Sequence, residues 1–171
     1  GLSLAILKEL GLKTTPKKNQ EALLTTFWPG RFEIIKDEVP IVLDGAHNPS
    51  GMKVLCEALK SSAFRHKPIV CIYGSMKSDN AQKKVELLAS IKPEITYLHA
   101  PNNPRAQTLL ELSKMFAEHE LKAEPFTSLA VAKNKAVAKN AILLITGSLY
   151  TVGELRAQLL NIAMDDKIPN F

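Results

Sequence analysis

Residues 41–51 read Ile-Val-Leu-Asp-Gly-Ala-His-Asn-Pro-Ser-Gly, IVLDGAHNPSG. Three apolar residues, Ile41 to Leu43, stop on the carboxylate of Asp44, and a His, an Asn and a Pro follow at once. Asn before Pro is a strong helix-start signal, with Asn48 as N-cap and Pro49 at the first helical position. Beyond it Met52, Leu55, Cys56 and Leu59 recur at i, i+3, i+4 and i+7, which predicts an amphipathic helix. The stretch therefore reads as buried strand, polar loop, helix.

The same alternation continues along the chain. Ile69 to Tyr73 is a continuous apolar run ended by Gly74, and Ala81, Val85 and Leu88 mark the helix after it. Ile95 to Leu98 reads as a strand, Leu109, Leu112 and Phe116 as a helix, and 122–125 as a weak strand. Leu129 to Val137 is an Ala-Lys helix, Ala141 to Ile145 a strongly apolar strand ended by Thr146-Gly147-Ser148. Leu149, Val152, Leu155 and Leu159 give a last helix. Upstream, residues 3–10 and 20–27 read as helical pieces joined by a polar stretch with Pro16. Phe32 and Ile34 alternate with Glu33 in a short strand that forms a hairpin with 41–43. The tail from Asp165 to Phe171 reads as frayed. Apolar strands alternating with helices predict an α/β fold. The expected arrangement is a mostly parallel sheet with helices on both faces.

Composition fits this. The chain has 171 residues, 46% hydrophobic and 23% charged, as expected of one globular domain. No run approaches the roughly 18 apolar residues of a membrane span. The net charge of +5 is a mild basic excess. Lys13, Lys17 and Lys18 cluster without interleaved aromatics, so no nucleic-acid stripe is present. Cys56 and Cys71 have no CxxC spacing and fall on apolar faces, which predicts buried free thiols and a reducing cytoplasm.

In an open α/β sheet, ligands gather beyond the carboxyl ends of the strands. Three such ends carry polar residues: Asp44 to Asn48, Gly74 to Lys77, and Thr146 to Ser148. At the first, Asp44 is an acceptor suited to ribose hydroxyls, and His47 can donate or accept. Arg31, on the preceding strand, can hold a phosphate at the same edge. The N–H groups of the turn at Asn48 can attract an anion or a ligand oxygen. Gly45 supplies a turn or lets the backbone approach a neighbour. The ordinary alternative is that Asp44 caps a helix and Asn48-Pro49 is turn chemistry alone. No phosphate loop accompanies these residues. Gly45 and Gly51 are separated by five residues instead of four, and Met52 stands where Lys is needed. G-x-G-x-x-G, H-E-x-x-H, paired Cys/His and G-x-S-x-G patterns are also missing from the sequence.

Trp28-Pro-Gly-Arg-Phe-Glu33 together with Leu43-Asp-Gly-Ala-His-Asn-Pro49 resembles the signature of folylpolyglutamate synthase, a family that includes the enzyme that is also dihydrofolate synthase. Pro104-Arg105-Ala106 and Thr146-Gly147-Ser148-Leu149-Tyr150 resemble later family segments. The Asp-x-Ala-His-x-Pro core is shared with the wider Mur ligase superfamily. The resemblance implies an ATP-dependent amide ligase in which ATP converts a carboxylate to an acyl phosphate and the amine of L-glutamate displaces the phosphate. The acceptor would be a folate or dihydropteroate. It further implies that 28–171 is a Mur ligase-like C-terminal domain, a Rossmann-like three-layer sandwich. Residues 1–27 would be the last helices of an N-terminal ATPase domain that carries the phosphate loop and the magnesium ligands. A fragment of that kind, inactive alone, also accounts for Gly1 in place of an initiator Met. By position, Arg31 would contact ATP phosphates or ribose, Asp44 the ribose, and His47 the ATP or the incoming glutamate. Asn48 and Ser148 would border the same cleft. The implied protein is a cytoplasmic monomer without nucleic-acid or membrane partners.

One segment departs from the family. Where an acidic Asp-Lys-Asp run is usual, this chain has Met76-Lys77-Ser78-Asp79-Asn80, and Asp79 reads as a cap for the next helix. Trp28 is expected to pack at the domain junction. His99 follows a strand end and is expected to play no part in the site, the alternative being that it edges the cleft. Arg105 is expected to be a surface residue at a helix start, the alternative being that it binds a substrate carboxylate. His66 and His119 are expected to be solvated. Two other functions fit parts of the pattern: a Mur-type ligase domain acting on peptidoglycan precursors, and a stand-alone nucleotide-binding module.

Overall fold

The computed structural model describes residues 2–162; the tail from Asp165 lies outside them. Six strands form one sheet in the order β1-β2-β6-β3-β4-β5. They are β1 (Glu33–Ile35), β2 (Ile41–Asp44), β3 (Ile69–Tyr73), β4 (Ile95–Leu98), β5 (Ala123–Pro125) and β6 (Ile142–Thr146). β1 runs antiparallel to β2, with Ile34 opposite Val42, and every other pairing is parallel.

The period-2 geometry of a strand sends alternate residues to opposite faces. Val42, Cys71, Tyr73, Leu98 and Leu144 face one core, where Met52, Leu55, Cys56 and Leu59 of α3 (Pro49–Ser61) pack with Val85 and Leu88 of α4 (Ala81–Ala89) and Leu112 and Phe116 of α5 (Leu109–Glu118). Ile41, Leu43, Val70, Ile72, Leu143 and Ile145 face the other, under Ala132 and Ala136 of α6 (Leu129–Ala138) and Val152 and Leu155 of α7 (Leu149–Leu160). Both sheet faces are thus covered, which is why the central strands are apolar without alternation. Cys56 and Cys71 are buried free thiols.

Three local expectations are corrected. The second N-terminal helix, α2, spans Pro16–Thr25 instead of 20–27. Pro16 occupies its first turn, where a missing N–H costs nothing, and the Thr15 hydroxyl accepts from Lys18 N at 3.2 Å. In β1 the faces are reversed: Ile34 is 48% exposed, and Glu33 is 6% exposed. The Glu33 carboxylate accepts from Arg156 Nε at 2.9 and 3.1 Å and from Gly30 N at 2.8 Å. Finally, the N-cap of α4 is Asn80, without a side-chain cap bond, so Asp79 does not cap it.

α1 (Leu2–Glu9) and α2 stand apart from this core, and α2 buries none of its residues. Among the described residues, no helix is long and apolar enough to cross a membrane.

Candidate active site

Asp44, Gly45 and His47 lie together at the carboxyl end of β2, against the turn that precedes β1. Arg31 sits in that turn and not on the strand, because Arg31 N bonds Trp28 O at 3.2 Å and Phe32 takes a left-handed φ of 44°. The two segments are knotted by backbone and side chain. Gly45 N donates to Gly30 O at 2.8 Å. Asp44 Oδ2 accepts from Phe32 N and Oδ1 from Ala46 N, each at 2.9 Å. Gly45 O accepts from Arg31 Nη1 at 3.2 Å and faces His47 Nδ1 at 3.0 Å. A carbonyl only accepts, so this contact places a proton on Nδ1; in the neutral ring Nε2 is then the acceptor. Asp44 is half-buried, and its desolvation raises the carboxyl above its ordinary pKa against the opposing pull of the two N–H bonds and the Arg31 charge.

These residues border a cleft of about 470 Å³ between the β1 turn and the first half of α3. Phe32, Val54, Leu55 and Ala58 form its apolar wall, and Arg31, Asp44 and His47 its polar mouth. The size and division suit a small organic ligand held by a few convergent polar groups.

Two sequence expectations acquire different physical content. Asn48 caps α3, Oδ1 accepting from Gly51 N at 2.8 Å, so one of the turn's N–H groups is already engaged, and Pro49 has none. Gly45 lies against α7: a Cβ there would meet Leu149 Cδ2 at 2.4 Å, and the half-exposed Leu149 side chain would have to move aside. Ser148 is 1% exposed and serves as N-cap of α7, accepting from Thr151 N and donating to Thr151 Oγ1, both at 3.0 Å. It stands at the neighbouring strand end, and its hydroxyl is turned into the fold.

Further along the strand ends, His99 Nε2 lies 3.4 Å from Glu154 Oε2, with Phe126 edge-on to the imidazole. Burial lowers the His99 pKa and raises that of Glu154. Glu154 also accepts from Asn102 N at 2.7 Å. Arg105 precedes α5, with its N–H on Asn103 Oδ1 at 2.9 Å and its carbonyl accepting from Lys77 N at 2.8 Å. Trp28 is 69% exposed beside an equally open Phe27, and packs on nothing in the described core. His66 is exposed and accepts from Arg65 Nε; His119 is half-buried, 3.3 Å from Gln82 Nε2.

Sequence reasoning missed Lys84. It shares the buried face of α4 with Ala81, Val85 and Leu88 and is 1% exposed. Its ammonium meets the Ser75 hydroxyl, with no carboxylate partner among the described residues. Desolvation pulls its pKa down to about 8. The helical spacing alone placed it inward.

Residues 30–149 match the family described as Mur ligase, glutamate ligase domain. The chain belongs to that family. This glutamate ligase domain is 29% identical over 142 residues to the dihydrofolate synthase/folylpolyglutamate synthase of Bacillus subtilis, covering 82% of the chain and 32% of that protein. It is 32% identical over 146 residues to the folylpolyglutamate synthase of Lacticaseibacillus casei, covering 85% and 33%. Its fold matches the crystal structure of folylpolyglutamate synthase from Thermotoga maritima with a TM-score of 0.74 at 26% identity, covering 97% of the chain and 38% of that one. It also matches E. coli FolC in complex with DHPP and ADP, with a TM-score of 0.76 at 23% identity over 92% and 37%. The domain thus spans about a third of the length of these relatives.

Proposed function

We propose that this glutamate ligase domain is the C-terminal part of an ATP-dependent amide ligase that adds L-glutamate to a folate, or to dihydropteroate. The observation that carries the reading is the knot at the mouth of the apolar cleft, in which Arg31 and His47 meet on Gly45 O while Asp44 beside it accepts from Phe32 N and Ala46 N. The named relatives supply the substrate class.

In this reading the apolar wall of Phe32, Val54, Leu55 and Ala58 receives the flat base of ATP, and the lone pairs Asp44 keeps beyond its two N–H bonds accept from ribose hydroxyls. Arg31, tethered by one Nη to Gly45 O, turns its remaining N–H groups toward phosphate oxygens, where a fixed guanidinium stabilises charge on a transferring phosphoryl group. His47 offers Nε2 as the acceptor nearest the entering glutamate. Asn48 and Ser148 fix the two loops without lending their side chains. The acceptor carboxylate takes the γ-phosphoryl group of ATP to become an acyl phosphate, releasing ADP; the amine of glutamate then attacks the acyl carbon, gives up a proton and forms the amide bond as inorganic phosphate leaves.

Magnesium does not fit this chain's own residues. Among the described residues no group of three or more His, Cys, Asp or Glu side chains gathers. The metal and the triphosphate grip belong, in this proposal, to a preceding ATPase domain, of which α1 and α2 are the last helices and at whose junction Trp28 packs. The domain alone is inactive, and the complete protein is a cytoplasmic monomer.

Asp44→Ala in the complete protein tests the assignment. It should raise the KM for ATP about tenfold, the loss of one charged hydrogen bond, and leave the KM for glutamate within twofold. Because Asp44 also holds Phe32 and Ala46, circular dichroism must show the variant folded. An unchanged KM for ATP removes Asp44 from the nucleotide site.

A further inference from the structure

At the opposite end of the sheet, away from the Asp44 cleft, a second pocket of about 220 Å³ opens beside the start of β3. Its floor is apolar: Leu59 and Ile69 are buried, with Phe64 and Ile91 packed against the same core. Its rim is formed by Lys60, Arg65, Lys67 and Lys92, with Ser90 between them and no acidic residue in the lining.

What holds these cations in place is neutral. Lys60 Nζ crosses from α3 to Ser90 Oγ at 3.1 Å. Lys67 Nζ sits on Asn140 Oδ1 at 2.7 Å, and Arg65 Nε donates to His66 Nε2 at 3.0 Å. None of the four lies within ion-pair distance of a carboxylate among the described residues. Lys92 also occupies a left-handed turn (φ 47°), a conformation that Asn adopts more easily and does adopt at Asn140 and Asn161. Four like charges around one apolar floor repel one another unless an anion enters.

We propose that this pocket is a binding site for a small organic phosphate, a phosphate monoester carried on one apolar ring. The phosphate would lie among Lys60, Arg65 and Lys92, and the ring on Phe64 and Ile91. Arg presents a fork that matches two phosphate oxygens, and Lys adds point charge. The volume admits a ring and one phosphate; a nucleoside triphosphate belongs in a larger cleft.

The test is an amide-shift titration of the 171-residue chain with phenyl phosphate, inorganic phosphate and phenol in parallel. The proposal expects saturable shifts confined to Lys60, Phe64, Arg65 and Ser90–Lys92 with a Kd below about 1 mM for phenyl phosphate. Inorganic phosphate and phenol should each bind at least about tenfold more weakly. The double variant Lys60→Gln/Lys92→Gln, at two exposed positions, should weaken phenyl phosphate at least about tenfold. Linear, unsaturated shifts spread over all lysines would mean a solvated basic face and overturn the site. So would equal binding by inorganic phosphate, or by the double variant.

Discussion

Lys84→Met isolates the consequence of burying a lysine without a carboxylate. In the folded chain the Lys84 pKa falls from 10.5 to about 8, because burial penalises the ammonium. The sign follows from proton binding. Below pH 8 both folded and unfolded chains hold the proton, so the full penalty acts. Between pH 8 and 10.5 the unfolded chain keeps a proton that the folded chain has lost, so stability rises with pH in that window. A shift of this size corresponds to about 3 kcal/mol at pH 7. Methionine fills similar volume without charge and forgoes one hydrogen bond to Ser75, about 1 kcal/mol. The variant should therefore be more stable than the parent by about 2 kcal/mol at pH 7. By pH 10 the parent has recovered about 2.5 kcal/mol of the penalty, and the advantage should vanish. Urea denaturation of both proteins at pH 7 and pH 10 gives the double difference, in which every other titrating group cancels. A difference that is the same at both pH values refutes the reasoning.

Glu33→Ala should destabilise by about 3 kcal/mol or more, because Arg156 and Gly30 N lose a buried acceptor; replacing both Glu33 and Arg156 by Met should recover most of that in urea melts. Gly147→Ala should lower the melting temperature by roughly 10 °C. Gly147 holds φ 105°, and an added Cβ would meet Gly74 O at 2.6 Å, backbone that has nowhere to move. A calorimetric midpoint within 2 °C of the parent, where ~10 °C is expected, would contradict that clash.

The fold was legible because its signals are local and repeated. Ile69–Tyr73 and Ile142–Thr146 are apolar on both faces, and only a sheet covered twice needs that. The inward face of α3 is the set Met52, Leu55, Cys56 and Leu59 that spacing selects. The failures are non-local. Glu33 turns inward because Arg156, 123 positions away, waits on the other side of β1. Gly45 lies under Leu149 of the last helix, whose side chain would have to move aside for a Cβ. At the site, the grouping of Arg31, Asp44 and His47 could be read from their place at a strand end. That Arg31 and His47 meet on one acceptor, Gly45 O, could not, since it depends on the turn at Gly30 closing onto the loop. Lys84 was readable: it lies three residues after Ala81 and four before Leu88, and charge alone kept it off the buried face.

The central claim is tested most directly by glutamate transfer in the complete protein. With ATP, L-glutamate and a reduced folate or dihydropteroate, mass spectrometry should show an acceptor heavier by one glutamate residue, dependent on ATP. The same reaction with a UDP-muramoyl acceptor should give nothing. Product on the UDP sugar alone, or on neither acceptor, would contradict the account.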